Sequence, residues 1–138
     1  MFNIGLDIGT SFVKVALTDM NSGKVIDLIS YPEKEQAIIS IKNGWAEQDP
    51  DVWWQNSCEA IRLLINRNNI NPINIKGIGV SYQMHGLVMV DSSGKCIRNS
   101  IIWCDDRAVD IGKKAYYDLG NQFCVDNLLN SPANFTAS

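Results

Sequence analysis

Asn3-Ile4-Gly5-Leu6-Asp7-Ile8-Gly9-Thr10-Ser11 runs directly into Phe12-Val13-Lys14-Val15-Ala16-Leu17. The apolar pattern predicts a strand ending near Ile8, a tight polar turn, and a second strand over about Phe12 to Thr18. Glycine in such a turn reaches dihedrals closed to other residues and brings backbone N–H groups close to a ligand. Thr10 and Ser11 add hydroxyl donors, and Asp7 is suited to hold a hydrated magnesium ion. Lys14 offers a counter-charge. Acid, glycine, two hydroxyls and a lysine in so short a stretch suit nucleotide phosphates. An ordinary hairpin with polar turn residues fits these residues alone equally well.

Working outward, the turn Met20-Asn21-Ser22-Gly23 leads to a third strand over about Lys24 to Tyr31, closed by Pro32. Short links predict an antiparallel meander. Ala37 to Ile41 reads as a short strand, and Asn43-Gly44 as a turn. A helix then starts with Asp49 as N-cap, Pro50 in the first position and Asp51 at the positive end of the dipole. Trp53/Trp54, Ser57/Cys58, Ala60/Ile61 and Leu64/Ile65 recur at helical spacing, which predicts one buried stripe containing both tryptophans. The polar run Asn66-Arg67-Asn68-Asn69 and Pro72 end the helix.

Strands are expected at Ile75 to Val80, Leu87 to Val90 and about Cys96 to Trp103. The polar knot Ser81 to Gly86 separates the first two, and Asp91-Ser92-Ser93-Gly94 turns the chain between the others. A second helix is expected from Asp105 or Asp106 to Gly120, with Val109, Gly112, Tyr116 and Leu119 on one face. The stretch from Asn121 to Ser138 is expected to hold one short helix before turning polar and small at Asn130-Ser131-Pro132-Ala133-Asn134. This order implies an α/β fold, a mixed sheet with flanking helices.

The chain has 138 residues, 46% apolar and 20% charged, enough for one domain with a real core. A net charge of −3 argues against nucleic acid, which needs a basic face. No apolar run approaches the roughly 20 residues that span a bilayer, which argues against a membrane partner. The N-terminus lacks the basic start of a secretion leader, and Asp7 interrupts its apolar run. Cys58, Cys96, Cys104 and Cys124 form no C-x-x-C pair, so zinc is not expected. They read as buried free thiols of a cytoplasmic protein.

Three separated segments carry a resemblance. The first is Gly5 to Ser11 with Lys14. The second is Gly44-Trp45-Ala46-Glu47-Gln48-Asp49-Pro50 followed by Trp53-Trp54. The third pairs Gln83-Met84-His85-Gly86 with Ile101-Ile102-Trp103-Cys104-Asp105-Asp106-Arg107. In this order and spacing the chain resembles the N-terminal part of the FGGY carbohydrate kinases, most closely the members acting on ketopentoses. The resemblance covers nearly the whole chain. It implies an actin-like ATPase (ribonuclease H-like) domain, of which this chain is the N-terminal portion only. Family members are several times longer, with two such domains around a cleft. The rest of domain one, the second domain and a downstream catalytic aspartate are then expected outside this chain. The ending Phe135-Thr136-Ala137-Ser138 carries no stop signal and fits a piece of a longer protein.

The resemblance implies ATP and Mg2+ as cofactors and a small-molecule sugar as substrate, D-xylulose foremost, phosphorylated at O5. Asp7 becomes the catalytic carboxylate that orients the metal. Gly9, Thr10, Ser11 and Lys14 become phosphate ligands. Met84 and His85 fall on the family's sugar-contacting pair, Gln83 beside them adds a donor and an acceptor for sugar hydroxyls, and Asp105 and Arg107 fall on its Asn-Asp-Gly-Arg element. Asp105 also reads as a helix N-cap, and Arg107 as a brace for the acidic pair. Two residues depart from the pattern: Cys104 stands where Asn is usual and Asp106 where Gly is usual. Without its missing half the piece is expected to lack activity and to expose apolar surface that favours self-association, a homodimer included. Rival readings are a family member acting on gluconate or a deoxyhexulose, and a non-catalytic sugar-binding module of the same fold. Glycerol fits least, because Met84-His85 stands where glycerol kinases resemble an Arg-Glu pair. An actin-fold cytoskeletal or chaperone ATPase would have no use for the knot Gln83 to Gly86.

Overall fold

The computed structural model describes residues 1–132; the polar ending read from the sequence beyond Pro132 lies outside the described residues. In chain order the elements are β1 (Phe2–Ile8), β2 (Val13–Asp19), β3 (Val25–Tyr31), β4 (Glu47–Gln48), α1 (Pro50–Arg67), β5 (Ile75–Tyr82), β6 (Ser100–Ile101), α2 (Val109–Leu119) and α3 (Asn121–Phe123). They form two compact units. One holds Met1–Ala37 and Asp51–Gln83, and the other holds Ile38–Pro50 and the chain from Met84 onward.

In the first unit the sheet order is β3-β2-β1-β5. The β1–β2 and β2–β3 pairs are antiparallel, as the short links predict, and β5 joins β1 in parallel. Strand alternation sends Ile4, Leu6, Val13, Val15 and Leu17 to one face. Ala60 and Leu64 of α1 complete this core, with Ile61 and Ile65 partly buried at its edge. The helix begins at Pro50, with Asp51 in its first turn and Arg67 in its last, so both charges suit the dipole. Past its end, Asn68 Nδ2 donates to Asp27 Oδ2 at 2.8 Å and ties the helix to β3.

The expected burial of both tryptophans fails at Trp54, which is 72% exposed. The buried stripe runs through Asn56, Ser57, Ala60 and Leu64. A residue one step from Trp53 lies about 100° round the helix, which carries Trp54 off that stripe.

The second unit is less regular than the sequence suggests. The two strands expected around Asp91–Gly94 shrink to β6 and the isolated bridges Leu87↔Ile101 and Val90↔Cys96. The expected strand at Ala37 to Ile41 is one bridge, Ile39↔Glu47. The hairpin turn is real: the Asp91 carboxylate accepts from the backbone N–H groups of Ser93 and Lys95. The second helix starts at Val109, later than expected, and stops before Gly120 as expected. All four cysteines are free. Cys124 is buried, but Cys104 is exposed beside a half-exposed Trp103, against the expectation of buried thiols. Among the described residues no helix is long and apolar enough to cross a membrane.

Burial separates two large side chains of α1. Leu64→Ala, at a fully buried site, is expected to cost about 3 kcal/mol of unfolding free energy. Trp54→Ala is expected to change it by less than about 0.5 kcal/mol. Urea denaturation of both variants checks this, and equal losses would mean that the stripe is misassigned.

Candidate functional site

The first unit gathers the opening turn. Gly9 N–H donates to Phe12 O at 3.0 Å and closes the β1–β2 connection. A Cβ on Gly9 would sit 2.9 Å from that same carbonyl, so the close backbone approach admits only glycine without a shift. Asp7 stands opposite Lys14 across the antiparallel pair and opposite Ser81 across the parallel pair. Asp7 and Lys14 are exposed, and both line an open depression of about 560 Å³ with Gly5, Ala16, Gly79 and Ser81 on its floor. A magnesium ion keeps several waters and needs only one or two protein carboxylates beside substrate phosphates, so a single exposed Asp7 fits it.

Parallel pairing delivers Gln83 to the same turn. Gln83 N–H donates to Ile8 O at 2.9 Å, and Thr10 Oγ1 donates to Gln83 Oε1 at 2.9 Å. Ser11 O accepts from Gln36 N–H at 2.9 Å. The structure therefore ties Gln83 to the bend through Ile8 and Thr10. A hydroxyl has one proton, so donation from Thr10 to phosphate requires exchange of its Gln83 bond.

Met84, His85, Asp105 and Arg107 belong to the second unit. Met84 is 65% exposed. His85 is exposed too and holds φ at 63°, in the left-handed region that non-glycine side chains seldom adopt. Two residues on, Leu87 N–H donates to Ile101 O at 2.9 Å and Ile101 N–H returns to Leu87 O at 3.2 Å. Buried Ser100 adds a third tie, its Oγ donating to Leu87 O at 3.0 Å.

Asp105 is buried at 3% exposure, with both oxygens engaged. Oδ2 accepts from Ala46 N–H at 2.6 Å and Arg107 Nη2 at 2.7 Å. Oδ1 accepts from Arg107 N–H at 2.9 Å and Arg107 Nε at 2.8 Å. This local turn is why α2 starts late: Asp105 joins two segments, and the residue before the helix is Ala108, without a side-chain cap. Burial would push the Asp105 carboxyl up, but the Arg107 and Ala46 donors outweigh it and hold it below its ordinary 3.8. Arg107 is held above its ordinary value, chiefly by Asp105. Arg107 thus braces acids, the second of the two roles read from the sequence.

The acid it braces besides Asp105 is Glu47, to which the sequence analysis assigned no role. Glu47 is 3% exposed, and its Oε1 accepts from Arg107 Nη2 at 2.8 Å and from Arg98 Nη2 at 2.5 Å. Arg107 also stacks on Trp45, its Cζ 3.8 Å from the ring centroid, with Lys42 Nζ at 4.7 Å. The only available signal was an acid inside an otherwise closing motif, since both partners lie more than fifty positions away. Among the described residues no group of three or more His, Cys, Asp or Glu is placed to hold a metal.

An antiparallel meander continued by a parallel strand, with a glycine turn at its first connection, is the opening of the actin-like α/β ATPase fold. The chain belongs to the FGGY family of carbohydrate kinases, matching that family's N-terminal domain over residues 2–135. It is 42% identical over 104 residues to the xylulose kinase of Bacillus subtilis (strain 168), covering 75% of this chain and 20% of that relative. Two solved structures from Lactobacillus acidophilus share the fold. A ligand-bound xylulose kinase is 33% identical with a TM-score of 0.77, covering 90% of this chain and 24% of its own. A gluconate kinase is 30% identical with a TM-score of 0.83, covering 97% of this chain and 26% of its own. The chain thus spans about a fifth of the length of the curated relatives it matches.

The lowered Asp105 carboxyl sets a pH dependence. Its folded value lies below its unfolded 3.8, so its contribution is complete above that pH and is lost as pH falls through the folded value. Unfolding free energy is expected to fall below about pH 4, with a shallower slope in Asp105→Asn than in the wild type. Denaturation series at stepped pH check this. Identical slopes would remove Asp105 from the acid response.

Proposed function

We propose that this chain is the opening part of an ATP-dependent sugar kinase that phosphorylates a ketopentose, D-xylulose, at O5. In this reading the remainder of domain one, the second domain and the aspartate that takes the hydroxyl proton lie beyond the chain. The observation that carries the kinase reading is the opening turn: an exposed acid and an exposed lysine paired in register on either side of a glycine-closed bend.

The proposed roles follow from charge and reach. Lys14 supplies positive charge beside the transferred phosphates, and the Gly9-Thr10-Ser11 bend offers backbone and hydroxyl donors to their oxygens. Asp7 would hold magnesium, which when bound would neutralise charge on the transferred phosphates. Met84 and His85 contact the sugar, His85 supplying both a donor and an acceptor to its hydroxyls. Gln83 positions the bend through Thr10 and Ile8. Asp105 and Arg107 support the sugar loop from beneath.

Gluconate is the second reading, favoured by the fold likeness to the gluconate kinase, at a TM-score of 0.83. Charge favours the ketopentose. Gluconate carries a carboxylate and wants a cation with charge to spare. The two arginines closest to the strand pair, Arg98 and Arg107, already face two carboxylates, Glu47 and Asp105. That cluster closes at zero net charge and suits a neutral polyol. The names of the curated relatives also favour xylulose.

Coupled ATP-turnover assays on the protein encoded by the complete reading frame test this. Turnover is expected to be highest with D-xylulose among D-xylulose, gluconate and glycerol, and to require magnesium. Asp7→Asn is expected to lower kcat by about a hundredfold or more with the fold retained. Preference for gluconate would overturn the sugar assignment. The 138-residue chain alone is expected to show no sugar-dependent turnover; robust turnover by it would refute the need for a downstream base.

A further inference from the structure

We propose that Arg107, acting through Glu47, is a positioning residue that sets the His85 turn. The proposal deepens the sugar-kinase reading and rests on it only where it names the ligand. The β4–β6 pair is weak by itself. β4 and β6 are each two residues long, paired as Glu47↔Ile101 and Gln48↔Ser100. So short a ladder specifies its own register poorly, and a slip by one residue turns every side chain to the opposite face. Yet the carbonyl and amide of Ile101 and the hydroxyl of Ser100 hold Leu87, two residues past the left-handed His85. Wherever β6 moves, the His85 turn follows.

Glu47 supplies what the ladder lacks. Arg98 and Arg107 flank β6 in sequence on its two sides, and both reach the same Glu47 oxygen. A one-residue slip of β4 would withdraw that oxygen from both guanidiniums at once. Arg107 then locks the far end through its fork on Asp105, which grips Ala46 N–H, one residue before Glu47. Buried ion pairs add little net stability compared with apolar packing, but their fixed geometry discriminates between arrangements. A bidentate fork is what lysine cannot reproduce.

His85 is the only histidine in the chain, so its imidazole gives a single NMR resonance that reports the turn directly. The experiment records this resonance in wild type, Arg107→Lys, Glu47→Gln and the control Arg62→Gln, whose exposed side chain pairs only locally with Glu59. Arg107→Lys and Glu47→Gln are expected to shift or broaden it, and Arg62→Gln to leave it in place. A role of Arg107 through charge alone would be restored by lysine. An unmoved resonance in Arg107→Lys overturns the proposal, whether or not the Ile101 and Leu87 amides move. Should Arg107→Lys fail to fold, Arg98→Lys decides by the same criterion, since it loosens only the more exposed arm. The KM for D-xylulose of the protein encoded by the complete reading frame is then compared between wild type and Arg107→Lys, with a value about tenfold higher expected in the variant. An equal KM in the two would sink the sugar assignment of this turn, while the variant spectra without sugar still decide the positioning role.

Discussion

The parallel pairing of β5 with β1 is the constraint from which the opening turn takes its shape. A β1–β2 hairpin alone would hold Asp7 and Lys14 opposite one another, but an isolated hairpin is at best marginally stable in water. Adding β5 on the other side of β1 buries no new chemistry by itself. It carries the chain to Gln83, whose backbone and side chain meet Ile8 and Thr10 at the bend. Residues more than seventy positions apart thereby fix one loop. The core behind it is ordinary: three alternating residues of β2, two of β1 and the small-to-large pair Ala60 and Leu64. What distinguishes the sheet is that its strand ends are tied to each other by polar atoms instead of being left to solvent.

The second unit solves a different problem. It has little regular structure, and its buried residues include Glu47, Gln48, Ser100 and Asp105 along with Ala46 and Ile102. Buried charge is tolerated only when paired and hydrogen-bonded, and here two carboxylates meet two guanidiniums with donors aimed at their oxygens. Among the described residues no buried side-chain nitrogen or oxygen is left without a partner. Such a network is directional where an apolar core is not. That suits a region built of turns and two-residue strands, in which hydrophobic pattern has too few positions to dictate one arrangement.

The meander, the strand that became β5, the start of α1 and the stop at Gly120 were legible because each is written locally. Alternation marks the strands, Asp49-Pro50-Asp51 marks the helix start, and a glycine ends α2. The glycine bend between β1 and β2 was legible for the same reason, since its acid, glycine, hydroxyls and lysine are neighbours in sequence. Gln83's place at that bend was not, because parallel pairing over a long crossover leaves no local trace. Glu47 and Arg98 were missed on the same ground. Of the two readings of Asp105, sugar ligand and helix cap, the cap came from the local acid-before-helix rule, and a long-range partner, Ala46, overrode it. Trp54 was misassigned because helical spacing gives the stripe and not its width.

Asp106 and Gly44 show how two positions can share one volume. A glycine in an Asn-Asp-Gly-Arg element would leave space at position 106, where this chain carries an aspartate. The glycine that matters lies across from it: Gly44 holds φ at 78° and accepts the Asp106 N–H at 2.9 Å through its carbonyl. A Cβ on Gly44 would fall 1.9 Å from Asp106 Oδ1. The Asp106 side chain therefore occupies the volume that the bare backbone of Gly44 leaves open, and the two residues are complementary. Any side chain at 44 would have to displace the carboxylate and adopt a strained backbone as well. Cys104 stands differently, exposed and outside this contact. The substitution at 106 is thus compensated inside the turn that leads to Arg107, and the segment preceding Glu47 stays seated against it.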